Sequence, residues 1–231
     1  MVFKFDARPE LCLGGALHPE NPAMTGLDDM IAGLRFPSAY PHPVAGVEHI
    51  ETHISHVFLA GDYAYKIKKP VNLGFLDFST LERRHFFCQE ELRLNARLAP
   101  HLYLEVVPVT GSPEAPHLGG VGQALEYAVK MRRFDQTGLL STRPLEGDLP
   151  ERVAERVAAF HAAIPTVGKD QTFGTPEAVL GPMLANFEAI HSRSPDAAIL
   201  NRLVLLEAWT RTRYAELVPI LRQRRAEGFV R

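Results

Sequence analysis

Residues 62–71 read DYAYKIKKPV, and three lysines fall within four positions of a stretch with strand character. A strand alternates its side chains between two faces, so Tyr63, Tyr65 and Ile67 share one face and Ala64, Lys66 and Lys68 share the other. Two ammonium groups on one side of an otherwise apolar ribbon have two explanations. They blunt an exposed sheet edge, or they hold something negative.

The surrounding sequence offers a partner. Ser79-Thr80-Leu81-Glu82 matches a capping box in which Ser79 caps a helix and Glu82 reaches back, and the helix is expected to run to about Ala99, before Pro100. Along it Phe87, Glu91, Leu94 and Leu98 are spaced four, three and four apart and form one stripe. Glu91 is thus a carboxylate in an apolar row, which costs several kcal/mol unless a cation meets it. Glu90 lies off the stripe near Arg93 and Arg97 and reads as solvated. The strand lysines are the obvious source of a cation for Glu91, unless Glu91 reaches the helix surface instead.

Around this centre the chain divides in two. VEHIETHI (47–54), VFLA (57–60) and YAYKIKK (63–69) are strand candidates, with Gly61-Asp62 suited to a two-residue hairpin. HLYLEVVPVTG (101–111) and QALEYAVKMRRF (123–134) return to strand character across a Gly/Pro-rich turn. LDDMIAGL (27–34) is a short amphipathic helix, and after Phe134 the pattern is helical only, in three segments opening at Leu149, Pro176 and Ala197. Gly228 stands where a helix C-cap belongs. The expected organisation is a disordered leader over 1–23, with Met24 as an alternative start, a β-rich lobe over 24–131, and a helical part over 132–231.

Composition bounds the function. The chain has 231 residues, 46% hydrophobic and 23% charged, with a formal net charge of −2. That supports a real core and argues against bulk capture of nucleic acid or anionic membrane. No apolar run approaches the roughly 18 to 20 residues of a membrane span. The N-terminus lacks the basic start and compact apolar core of a signal peptide. Cys12 and Cys88 fit no metal or redox spacing, and a cytoplasmic setting is the simplest expectation. His53 and His56 with Glu51 suggest a metal at first sight, but on an alternating strand the two histidines point to opposite faces. His161 is expected to be a partly buried structural histidine, and Trp209 to pack the last helix into a core.

AYPHPV, the block ETHISHVFLAGDYAYKIKKPVNLGFLDFSTLERR (51–84), EELRLNARLAP, EYAVKMRRF and VAAFHA together resemble the kinase-like domain of the aminoglycoside phosphotransferase superfamily. The resemblance is to the N-terminal half of bacterial two-part aminoglycoside phosphotransferase/ATP-binding proteins. It implies an α+β, protein-kinase-like fold with a β-rich N-lobe and a helical C-lobe. By resemblance Lys66 pairs the α/β-phosphates of ATP, Glu91 holds that lysine, and the backbone of Met131, Arg132, Arg133 and Phe134 is the inter-lobe hinge that receives adenine. Lys68 is then a solvated or phosphate-proximal extra. In place of a glycine-rich phosphate loop stands His53-Ile54-Ser55-His56, where Ser55 offers a hydroxyl and an N–H.

The implied cofactors are ATP and magnesium, and the implied partners a nucleotide and a small hydroxylated acceptor. The superfamily's His-Gly-Asp catalytic loop and later metal-binding Asp have no counterpart in this sequence. Gly147-Asp148-Leu149 follows Glu146 and reads as a turn and N-cap, and Val167-Gly168-Lys169-Asp170 is no Walker motif. The expectation is therefore nucleotide binding without turnover in a kinase domain cut short before its catalytic loop, with a silent interaction module or a gene fragment as alternatives.

Overall fold

The computed structural model describes residues 22–74, 76–142, 144, 146–193 and 196–231. The chain falls into two compact units, Met1–Leu145 and Glu146–Arg231. The first is α+β. Its six strands are β1 (Val47–Glu51), β2 (Ser55–Ala60), β3 (Tyr63–Lys68), β4 (Tyr103–Ser112), β5 (Ala115–Leu118) and β6 (Glu126–Arg132). They form one sheet in the order β1-β2-β3-β6-β4-β5, and every neighbouring pair is antiparallel. Gly61 takes φ +57°, which lets Ala60 and Tyr63 pair across the expected two-residue turn.

Alternation sorts the sheet onto two cores. On one face Phe58, Tyr65, Ile67, Val109 and Ala128 pack with Met30 and Ile31 of helix α1 (Pro22–Gly33) and with Leu34 just after it. On the other face Val57, Ala64, Val129 and Met131 pack with Cys88 and Leu92 of helix α2 (Leu81–Asn95). The partition of β3 follows the reading of DYAYKIKKPV, with the tyrosines and Ile67 toward α1 and Ala64 and the lysines toward α2.

Several expectations are corrected. α1 opens at Pro22, inside the expected leader, while residues 1–21, including Cys12, lie outside the described residues. α2 is capped by Thr80, whose hydroxyl accepts from Arg83 N, while Ser79 turns to Asp77. α2 ends at Asn95, and its buried stripe runs Arg84, Cys88, Leu92, so Leu94 is left 40% exposed. The stripe was read one step around the helix because it followed the large apolar residues and passed over an arginine. The Gly/Pro-rich turn hides β5, a four-residue edge strand whose Pro116 is tolerated at the sheet margin. The first unit also extends past the expected boundary at 131/132, through residue 145.

On the α1 side of β1 and β2, His49 Nδ1 meets Arg35 at 2.9 Å and His49 Nε2 meets His56 Nδ1 at 3.1 Å. His53 is exposed in the turn between the two strands, and among the described residues no group of three His, Cys, Asp or Glu side chains is placed to hold a metal. Burial, reinforced by nearby Lys69, pushes His56 down to about 4. The unfolded chain therefore binds a proton there that the folded chain refuses. The stability carried by neutral His56 is complete above about pH 6.5 and is lost as the pH falls toward 4. His56→Asn should flatten the fall of melting temperature between about pH 7 and pH 5, and parallel curves for parent and variant would contradict this account.

The second unit holds helices α3 (Leu149–Ala163), α4 (Pro176–Arg193) and α5 (Ala197–Ala226). Asp148 stands at the N-cap position of α3, but its side chain makes no cap hydrogen bond. Asp196 caps α5 by accepting from the N–H groups of Ala198 and Ile199. At its end Gly228 takes φ +77°, and Phe229 N donates to Arg224 O, closing a Schellman turn. α4 packs on α5, and Val167 N donates to Val230 O at 2.9 Å. Two expectations fail here. His161 is exposed, and Trp209 is 66% exposed. Of the apolar residues of α5, Leu203 is buried, while Ile199, Val204, Leu205, Leu206 and Ile220 are exposed like Trp209.

Candidate functional site

Lys66 and Glu91 meet because two periodicities agree. β3 turns Lys66 toward α2, and α2 turns Glu91 toward the sheet. Lys66 Nζ donates to Glu91 Oε1 at 2.8 Å, and Lys68 Nζ donates to Glu91 Oε2 at 2.6 Å. Each carboxylate oxygen therefore has its own ammonium. Burial alone would raise the Glu91 carboxyl, but the two lysines outweigh it and hold the group below its ordinary value. Lys69, the third lysine, turns to the opposite side and pairs with Glu51.

A cavity of 680 Å³ opens beside this pair, within the size range of small-molecule sites. Ala64, Tyr103 and Met131 give it buried walls, joined by Ile50, Leu59 and Leu102. Lys66 and Glu91 are its least exposed charged members, at 13% and 12%. Exposed Glu48, Asp62, Arg132 and Arg133 line its outer part, where Arg133 meets Glu48 at 3.3 Å.

The predicted site residues separate on this geometry. Lys66, Glu91, Met131, Arg132, Arg133 and Phe134 all line the cavity. Arg132 N donates to Leu102 O and Arg133 N to Asp62 O, which fastens the segment leaving β6. Phe134 lies in the cavity lining, and its backbone groups enter none of the backbone hydrogen bonds given for the described residues. Ser55 is not part of the lining. It opens β2 with its side chain buried, its N–H donates to Thr52 Oγ1 at 2.9 Å, and its hydroxyl has no partner among the described residues. A buried side chain that starts a strand is not presented as a phosphate loop.

Lys68 departs furthest from expectation. It is 5% exposed rather than solvated, its Nζ lies 4.9 Å from the Phe78 ring centroid, and it does not line the cavity. Strand alternation had placed it beside Lys66, and the proximity of α2 makes it a second partner of Glu91. A second buried pair escaped the sequence altogether. Arg84 Nε donates to Glu126 Oε2 at 2.6 Å, and Arg84 Nη1 donates to Phe78 O at 2.9 Å. Its signal was Arg84 four residues before Cys88 on the same helix face.

An ammonium held at a fixed place beside an apolar slot suits a phosphate attached to a flat apolar group. Among the described residues no group of three His, Cys, Asp or Glu side chains is placed to hold a metal ion. No helix among them is long and apolar enough to cross a membrane.

Comparison with known proteins gives sequence relatives without a described activity. An uncharacterized protein of Mycobacterium bovis and two of Mycobacterium tuberculosis strains are each 39% identical over 128 residues, covering 52% of this chain and 24% of theirs. The match thus spans about a quarter of the length of the curated relatives. No family model matches the chain, and no solved structure does. What this chain shares with known proteins is therefore a segment similar to part of these longer mycobacterial chains.

Proposed function

We propose that the first unit is the nucleotide-binding lobe of a protein-kinase-like phosphotransferase, in which Lys66 takes the phosphates of ATP and the Phe134 peptide takes the adenine edge. The observation that carries this reading is the 2.8 Å Lys66–Glu91 pair set on the wall of the 680 Å³ cavity. The pair keeps the Lys66 ammonium at the cavity wall, within reach of a phosphate that enters the cavity. Phe134 is part of the cavity lining, and its peptide carries the donor and acceptor types that a purine edge requires. The transfer acceptor in this reading is a small hydroxylated molecule, as the resemblance implies.

The test is a thermal melt of the 231-residue protein with and without millimolar ATP, in the presence and absence of magnesium. Binding at about 100 times Kd stabilises by about 2.7 kcal/mol, which is several degrees for a domain of this size. A larger rise with ATP than with adenosine supports phosphate capture. No rise with either overturns the reading. The silent interaction module would then be favoured by the exposed Leu205, Leu206 and Trp209 of α5.

A further inference from the structure

We propose that Lys68 is the positioning residue of this site: it keeps Glu91 paired while Lys66 turns from the carboxylate to a phosphate. The inference rests on the nucleotide-binding reading and adds a residue that the reading does not require.

The two lysines are not equivalent. They lie two positions apart on the same face of β3, and each takes one oxygen of Glu91, at 2.8 and 2.6 Å. Lys66 lines the cavity and Lys68 does not. The Lys68 side chain is 6% exposed, and its ammonium is held against Phe78, itself buried. Lys68 is thus the anchored cation, and Lys66 the one that a ligand in the cavity can reach.

A carboxylate with a single buried cation resists giving it up, because an unpaired charge in a site of low exposure is costly. An anion that recruits the lysine of a one-to-one pair must overcome that cost or leave the carboxyl to take a proton. With Lys68 on Oε2, the carboxylate stays paired when Lys66 swings by a few ångströms toward a phosphate. The clamp converts a closed ion pair into an exchangeable one. Glu91 then has two roles: it orients Lys66 before binding, and with Lys68 it forms a pair that persists afterwards.

The consequence is a proton linkage that appears only when the clamp is removed. In Lys68→Met, which keeps the stem's apolar contacts, nucleotide binding should draw Lys66 away and leave Glu91 alone, so Glu91 takes up a proton. Affinity for Mg·ATP should fall about tenfold near pH 8 and recover as the pH is lowered to about 6, whereas the parent changes less. ATP's own titration is common to both proteins and cancels in the ratio. Calorimetry in two buffers of different ionisation enthalpy should show proton uptake on binding in the variant in excess of the parent. A merely structural role for Lys68 would lower the melting temperature without creating this linkage.

The double variant Lys68→Met/Glu91→Gln completes the cycle. With no carboxylate to keep paired, removing Lys68 should cost binding less than about twofold relative to Glu91→Gln alone. Equal affinity and equal pH dependence in parent and Lys68→Met would overturn the clamp while leaving nucleotide binding intact. Absence of binding in the parent would overturn both. If Lys68→Met does not fold, the comparison of Lys68→Arg with the parent decides. Arginine keeps the charge on Glu91, so unchanged affinity and absent linkage are expected, and a tenfold loss in a folded Lys68→Arg would count against the clamp.

Discussion

Arg84→Met is expected to lower the stability of the first unit by about 3–5 kcal/mol, the usual cost of leaving one partner of a buried ion pair alone. Glu126 is 1% exposed, and Arg84 is its cation at 2.6 Å. Burial raises the Glu126 carboxyl even with the guanidinium beside it. Without Arg84 only the Tyr127 N–H, 3.0 Å from Oε1, opposes that burial, and Phe78 O loses its donor as well. Because the chain has two units, a single unfolding curve does not isolate the effect. Hydrogen exchange at β6, where Val129 and Ala128 pair with both β3 and β4, reads it directly. The double variant Arg84→Met/Glu126→Leu should recover most of the loss, since an apolar pair of similar volume replaces the ionic one. A single-variant loss below about 1 kcal/mol would show that the pair contributes little beyond its own desolvation cost.

Lys66→Met should weaken ATP binding by about 100-fold or more, because it removes the charge-assisted contact to phosphate. The variant keeps Glu91 paired through Lys68, so it should fold, with a melting temperature within a few degrees of the parent. Titration with a fluorescent ATP analogue, and separately with adenosine, separates phosphate from base. The adenosine affinity should not change, since Phe134 and the apolar walls remain. Retention of ATP affinity within about threefold would remove Lys66 from the phosphate role and leave the cavity without its assigned cation.

Much of this architecture was legible along the chain. Period-two alternation in DYAYKIKKPV set which β3 residues face α2, and helical spacing turned Glu91 toward the sheet, so their meeting followed from two local patterns. The Gly61-Asp62 turn, the strand sets and the Gly228 cap were equally local, because turn and cap chemistry depends on residues within a few positions. The misses have the opposite character. β5 owes its place to pairing with β4 rather than to its own four residues. Ser55 follows from a loop analogy, whereas the structure makes it the buried first residue of β2. Trp209 was read by residue type alone, and its exposure depends on what packs against α5.

Sequence alone determined the faces: which side chains of each strand and helix share a side, and hence that an acid on α2 and a base on β3 would look at one another. Only the tertiary structure decided how many cations that acid would have and which arginine would be buried. Local periodicity specifies direction, whereas the number of partners within hydrogen-bond reach depends on how closely two elements approach. α2 lies near enough to the sheet for Lys68 and Lys66 to share one carboxylate, and for Arg84 to reach Glu126 across 42 positions of sequence.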